Sequence, residues 1–280
     1  MTPMSNSENS TQELTRESEI ATNAIETRTW KKNLFILKTL VGKDFKVKYR
    51  RSVLGVVWSV LNPLLMMIVM SAVFSYMFRF NIENFPLYLI LGQIMFNLMS
   101  DATSGAMQSI IGAASLIQKI RIEKMVFPLE KVIFSLVNFL FSAIAAVAVM
   151  IYFRIMPTWD ILFLPLCIVY VVAFSAGLGL ILSSLAVFFR DVIHLWSVVL
   201  TAWTYATPLF YPLELLPDTL QFLIQFNPMY QYITYFRDIM MYGITPTLEQ
   251  NLICIAMAAI SLALGILVFR KTEHKFILYV

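Results

Sequence analysis

Long apolar runs recur along the chain, separated by short polar breaks. They cover 53–78, 86–117, 132–153, 161–189, 192–213 and 252–269. Each is long enough for a helix to cross a hydrocarbon core, which takes at least about 17 residues. The pattern predicts six membrane-spanning helices. A further stretch, 220–242, is apolar but carries Gln221, Gln225, Asn227, Pro228, Gln231, Arg237 and Asp238. Asn227–Pro228 should break it into two short helices, each too short to span.

Charge decides how that stretch is placed. With six spans and the N-terminus inside, Lys and Arg divide 18 inside to 3 outside, the three being Arg79, Arg154 and Arg237. A seventh span would carry Arg270, Lys271 and Lys275 outside, against the tendency of cations to stay on the cytoplasmic side. The expectation is therefore a re-entrant helical hairpin at the outer face. Irregular backbone at that depth must be covered by protein or line a watery cavity.

Ahead of the first span, 30–49 reads as an amphipathic helix. Trp30, Leu34, Leu37, Val41 and Phe45 recur at helical spacing, with Lys31, Lys32, Lys43 and Lys46 elsewhere on the wheel. Such a helix lies in the membrane interface, its basic side toward anionic headgroups. Residues 1–29 are polar, with five Glu and no apolar core, and read as a disordered cytoplasmic tail. The expected organisation is a tail over 1–29, an interfacial helix over 30–49 and a transmembrane domain over 50–280, all α-helical.

Composition agrees. The chain is 59% hydrophobic with a mean hydropathy of +0.74, and only 14% of its residues are charged. A soluble domain carries about 25%. The net charge of +4 is accounted for by cytoplasmic loops collecting Lys and Arg, so no nucleic-acid partner is inferred. Cys167 and Cys254 sit singly in apolar runs, and His194 and His274 stand far apart. No metal site or disulfide is expected.

Within the second span, Gln93, Asn97, Asp101, Ser104 and Gln108 are spaced by 4, 4, 3 and 4 residues, which puts them on one helix face. A carboxylate at that depth must face protein or water. The stripe either lines a hydrated path or joins helices by hydrogen bonds, and Ser104, Gly105 and Ala106 suit close packing. Aromatic residues gather toward the outer half: Tyr76, Phe78, Trp203, Tyr205, Phe210, Tyr211, Tyr230, Tyr232 and Tyr235. Their rings could offer faces to sugar C–H groups, or they could form an interfacial aromatic belt. Lys46, Lys48, Arg50 and Arg51 suit a lipid phosphate or pyrophosphate, or ordinary anionic lipid. Arg237 and Asp238 could pair across an outer gate or stand as surface charges.

Five stretches, in order, resemble one family. YRRSVLGVVWSVLNPLL over 49–65, FFRDV over 188–192, ATPLFYP over 206–212, NPMYQYITYFRD over 227–238 and the terminal KFILYV are similar to segments of ABC-2 type permeases that export polysaccharides and polyol-phosphate polymers. The resemblance covers 30–280. It implies six spans, an interfacial helix and two outer re-entrant helices, with two permease copies working with two copies of an ABC ATPase. The chain has no G-x-x-x-x-G-K-[ST], so ATP and Mg²⁺ belong to the partner and the chain is no enzyme. The resemblance further implies that Lys119, Ile120, Arg121, Ile122, Glu123, Lys124 and Met125 dock on that ATPase, the charged members by polar contacts. The polar stripe and the outer aromatic set give Asn97, Asp101, Tyr76, Trp203, Tyr205, Phe210 and Tyr211 as substrate-path candidates, and Asn227, Pro228, Arg237 and Asp238 are the outer-gate candidates. The expected protein is a bacterial inner-membrane permease, both termini cytoplasmic, moving a lipid-linked surface glycopolymer such as teichoic acid, capsule or O-antigen outward. Export of a drug or lipid is the alternative. A membrane-embedded glycan transferase fits less well, because no second acid shares the stripe of Asp101.

Overall fold

A computed structural model of the chain describes residues 31–50, 54–78, 82–119, 122–156 and 158–279, the side chains of 75–78 excepted. The expected tail over 1–29, Trp30, and the site candidates Arg51, Ile120 and Arg121 lie outside the described residues, as does the side chain of Tyr76. Among the described residues there is no strand.

Among the described residues ten α-helices follow in order. They are α1 over 31–49, α2 Val57–Phe78, α3 Phe85–Gly112, α4 Ala114–Lys119, α5 Val126–Tyr152, α6 Leu164–Phe188, α7 Val192–Ala206, α8 Asp218–Ile224, α9 Pro228–Arg237 and α10 Leu248–Thr272. Prolines open α3, α6 and α9, where their missing N–H has no helical partner to lose. Asn84, at φ 54°, reverses the chain before α3. A short polar side chain tolerates that left-handed conformation. The Thr247 hydroxyl caps α10 by accepting from the Gln250 N–H.

Four stretches are long and apolar enough to cross a bilayer: Val57–Phe74, Val126–Tyr152, Trp159–Phe188 and Leu248–Leu278. Two of the six expected spans differ. Helix α3 has 28 residues and is diluted by its polar stripe. Helix α7 has 15, about 22 Å of helix.

Helix α3 is the axis of the bundle, touching α2, α5, α6, α7 and α9. Helix α10 crosses α6 with backbones in contact. A Cβ on Gly177 would lie 2.3 Å from the Ser261 carbonyl, and one on Gly265 would lie 2.4 Å from the Gly177 oxygen. Only glycine permits that approach. Ser261 Oγ donates to Phe174 O at 2.9 Å across the same seam.

The two ends of the bundle differ in charge. One, the basic end, gathers α1, Lys119, 122–125, the 189–191 turn and the C-terminal turn Glu273–Leu278. The opposite end gathers 82–84, 154–156, 158–163, 207–217 and 243–247.

Candidate functional site

At the basic end, α1, α3, α4 and α5 enclose a cavity of about 890 Å³. Helix α1 forms its lid and is latched to α5. The Lys131 ammonium pairs with Asp44, and it meets Glu130 Oε2 at 3.2 Å. Lys48 Nζ donates to Asn138 Oδ1 at 3.0 Å and lies over the Tyr49 and Phe134 rings. The Tyr49 hydroxyl meets Ser59 Oγ and donates to the same Asn138 oxygen. Lys48 is thus bonded within the protein, although it is exposed like Lys46 and Arg50.

The polar stripe of α3 is that helix's open face. Asn97, Asp101 and Gln108 are exposed and Gln93 and Ser104 half-buried, on a helix otherwise largely buried. None of the five makes a side-chain hydrogen bond to a described residue, so within one chain the stripe does not join helices. Its second half, Asp101, Ser104 and Gln108, lines the cavity together with Lys43, Lys48, Glu130 and Lys131.

The segment expected to dock on an ATPase is also at this end, and both its central charges are engaged. Glu123 Oε2 accepts from Asn33 Nδ2 of α1. Lys124 Nζ donates to the Glu273 carbonyl at 2.6 Å and lies 5.9 Å from the Phe276 ring centre. Phe276 is fully buried, its ring against Phe269 and Phe188. Ile122 and Met125 pack on the same cluster. Lys119 ends α4 and is exposed, whereas 122–125 is turn and coil rather than the expected helical stretch. The sequence reading did not find the C-terminal turn or Asn33 as partners. A fully apolar Phe in a basic tail was the available signal.

The opposite end is held by Arg237. This residue is 4% exposed and does not pair with Asp238. Its Nε and Nη2 donate to Tyr88 O at 3.2 and 3.0 Å, Nη1 to Pro208 O at 3.0 Å and Nη2 to Leu209 O at 3.2 Å. Its guanidinium lies 3.4 Å from the Tyr88 ring centre. Asp238 instead accepts from Gln250 Nε2 at 3.2 Å. In this arrangement the two residues form no salt bridge with each other, and Arg237 is not a surface charge. Carbonyl dipoles and a ring face satisfy the cation in place of a carboxylate.

Asn227 is a junction. Its side chain caps α9 by accepting from the Met229 N–H, accepts from Trp203 Nε1 at 2.8 Å and donates to Thr207 Oγ1 at 2.9 Å. The chain does break there, into α8 and the Pro228-led α9. The aromatic set divides. Tyr232 and Tyr235 are core, their hydroxyls donating to Cys254 O and Asn251 Oδ1. Trp203 packs edge-on against Phe174 and Trp196. Phe210 stacks on Phe74. Tyr205 is exposed and shares a groove of about 600 Å³ with Trp203, Tyr211 and Phe226. The sequence pattern grouped all of these by position along the chain. Burial separates struts from open rings.

A model of the ABC-2 type transporter family matches residues 36–241. The chain belongs to the ABC-2 type transporter family. Within the family it is similar to the O-antigen export system permease protein RfbA of Myxococcus xanthus, 30% identical over 243 residues, covering 86% of this chain and 94% of the relative. A Klebsiella pneumoniae protein of the same name is 29% identical over 245 residues, covering 86% and 93%. The capsule polysaccharide export inner-membrane protein CtrC of Neisseria meningitidis serogroup A is 24% identical over 218 residues, covering 73% and 80%. The matched region takes in α2 to α9 and most of α1, and therefore the walls of the basic-end cavity and the Arg237 junction.

Proposed function

We infer that this chain is the permease of a polysaccharide exporter in the inner membrane. The observation that carries the reading is similarity along most of its length to permeases of O-antigen and capsule export. The unpartnered polar face of α3 supports it, because an exporter of a hydrated polymer needs groups left free to meet hydroxyls. Deletion of the gene should remove one surface polysaccharide and leave its precursor on the inner leaflet. Unchanged surface glycans in the deletion strain refute the reading.

In the finer reading, α2, α3, α5, α6, α7 and α10 are six spans and the basic end is cytoplasmic, as the positive-inside tendency favours. Helices α8 and α9 form an outer re-entrant pair, of which α9 packs on α3, α6 and α10. Two copies assemble with two copies of an ABC ATPase, which binds ATP and Mg²⁺. The substrate is lipid-linked, and its phosphate meets exposed Lys46 and Arg50 while the glycan runs along Asn97 and Asp101. The ATPase docks below 119–125, and among the described residues of that segment Lys119 is the exposed cation left to make the polar contacts expected of it. Because Glu123 and Lys124 tie the segment to α1 and to the C-terminal turn, docking would move both termini with it. A ligand or partner biases a conformation only through unequal affinity for its two states. The ties are how that bias would spread across the basic end.

A further inference from the structure

Helix α1 is held to the bundle by few contacts. None of its residues, over 31–49, is buried, whereas α5 beside it sends Phe127, Val132, Phe139 and Ala145 into the core. An element with so little buried surface opens at low free energy. Its polar ties to α5 fall on two positions seven residues apart. Lys131 pairs with Asp44, and Asn138 accepts from Lys48 and Tyr49. Seven residues is about two helical turns, so both ties lie on one face of α5.

The first tie has a third member. The Lys131 ammonium meets Glu130 Oε2 at 3.2 Å as well as Asp44. Glu130 is 3% exposed, and its Oε1 has no hydrogen-bond partner among the described residues. That oxygen is closed to solvent, and the ammonium already at Oε2 is the donor at hand. Lys131 is therefore divided between a carboxylate on α1 and one fixed in α5. Its stem lies on α3, where a Cβ on Gly105 would be 3.2 Å from Lys131 Cβ, so the head can turn while the stem stays. Lifting α1 away from a lone Asp44–Lys131 pair would strand a half-buried ammonium, and a charge left without its partner is costly. With Glu130 in place it is not stranded. Asp44, its side chain 26% exposed already, passes to water, and the ammonium turns wholly to Glu130. We propose that Asp44, Lys131 and Glu130 form a releasable latch on α1, with Glu130 as the standby partner that lets α1 lift. The latch governs one wall of the basic-end cavity. Leu40, Lys43, Asp44 and Lys48 of α1 line that space together with Asp101, Ser104 and Gln108 of α3, so lifting α1 uncovers the second half of the polar stripe. That this is the entrance for the polymer rests on the polysaccharide-export reading; the latch itself does not.

Ser135 provides a reporter. It lies four residues after Lys131 and three before Asn138, lines the same cavity and is 3% exposed. Full-length Ser135→Cys protein in phosphatidylcholine nanodiscs should be treated with a water-soluble maleimide, and the rate at position 135 read by peptide mass spectrometry. Native Cys167 and Cys254 are buried, and site resolution separates them. Asp44→Asn breaks the tie from the α1 side and should raise the rate about fivefold, the scale of a partly exposed ion pair. Glu130→Gln should lower it about threefold or more, because lifting α1 then strands Lys131. Glu130→Asp, which keeps the charge but draws it back by one methylene, should lower it as well, and carries the test if the Gln variant does not fold. In the Asp44→Asn background Glu130→Gln should change nothing further, since no pair remains to be exchanged. A rate raised or unchanged by the Glu130 substitutions would make Glu130 a brace for the Asp44 tie and overturn the proposal. A rate unmoved by Asp44→Asn, or an equal slowing in both backgrounds, overturns it too. No substrate enters these measurements, so such a failure removes the latch and leaves the export reading to the deletion strain.

Discussion

Substituting Arg237 by Met tests the claim that a buried cation, satisfied by carbonyls, holds the end of the bundle opposite α1. The guanidinium makes four hydrogen bonds to three carbonyls and lies on the Tyr88 ring. Hydrogen bonds to charged groups contribute about 1.5–3 kcal/mol each, and a desolvated cation–π contact about 2 kcal/mol. The sum is not the cost of the substitution, because the desolvation penalty of the guanidinium, several kcal/mol, is relieved at the same time. Pro208 O also keeps the bond it accepts from the Tyr88 hydroxyl at 3.2 Å. Leu209 O is the acceptor most exposed to loss, about 1–3 kcal/mol for one left bare. With the ring contact, a net loss of about 2–4 kcal/mol is expected. Arg237→Lys should cost a similar amount, since an ammonium keeps the charge but cannot span three carbonyls as a planar fork does. Gly92 provides an internal control. A Cβ there would lie 2.5 Å from Nη2 and 3.3 Å from Cζ of Arg237, so Gly92→Ala should destabilise by displacing the guanidinium. In the Arg237→Met background the same methyl should be nearly neutral, a coupling of at least about 1 kcal/mol. Thermal unfolding of detergent-purified protein, followed by tryptophan fluorescence, reads all four variants. Wild-type melting of Arg237→Met, or additive effects of the pair, would refute the reasoning.

Three further outcomes are expected. Gly265→Leu should prevent α6 and α10 from closing, since the added carbons meet the backbone of Gly177 rather than a movable side chain; loss of the monodisperse protein peak in size-exclusion chromatography is the readout. Asn227→Ala removes the α9 cap and the ties to Trp203 of α7 and to Thr207 just past it, and should lower stability by about 1–3 kcal/mol, measured by the same melts. Lys124→Ala and Phe276→Ala should each lower export while leaving ATPase binding in pull-downs intact, because both act within this chain; loss of binding in either variant would instead make them partner contacts.

Helix positions were legible in the sequence because apolar length is a strong signal. The breaks near Phe78, Tyr152 and Phe188 fall where the runs stop. The exceptions have physical reasons. The second run was drawn as 86–117, but α3 ends at Gly112 and a separate α4 follows. Apolar residues continue through both helices, so hydropathy alone does not record the break. The fifth run was drawn to 213, but α7 stops at Ala206 before Pro208 and Pro212, whose ring geometry favours extended backbone ahead of them. The break at Asn227–Pro228 was legible, because proline and its predecessor act locally.

The chemistry of the site was legible only in part, and the division is informative. A stripe at spacings of 4, 4, 3 and 4 fixes one face of α3 without knowledge of any neighbour, so Asn97, Asp101 and Gln108 were found. Whether that face is free depends on what packs against it, which spacing does not encode. Pairings over long separations were hidden altogether. Arg237 meets Tyr88 across 149 residues, and Lys124 meets Glu273 across the same separation. In each case the adjacent opposite charge in sequence, Asp238 or Glu123, suggested a local or solvent-facing role. The fold gives these cations carbonyl partners instead. A carbonyl is present at every residue and leaves no mark in sequence, so a cation that chooses one is invisible until the backbone is placed. The same logic applies to Glu130: next to Lys131 in sequence it suggests an ordinary charge pair, yet it is buried and one of its oxygens has no hydrogen-bond partner among the described residues.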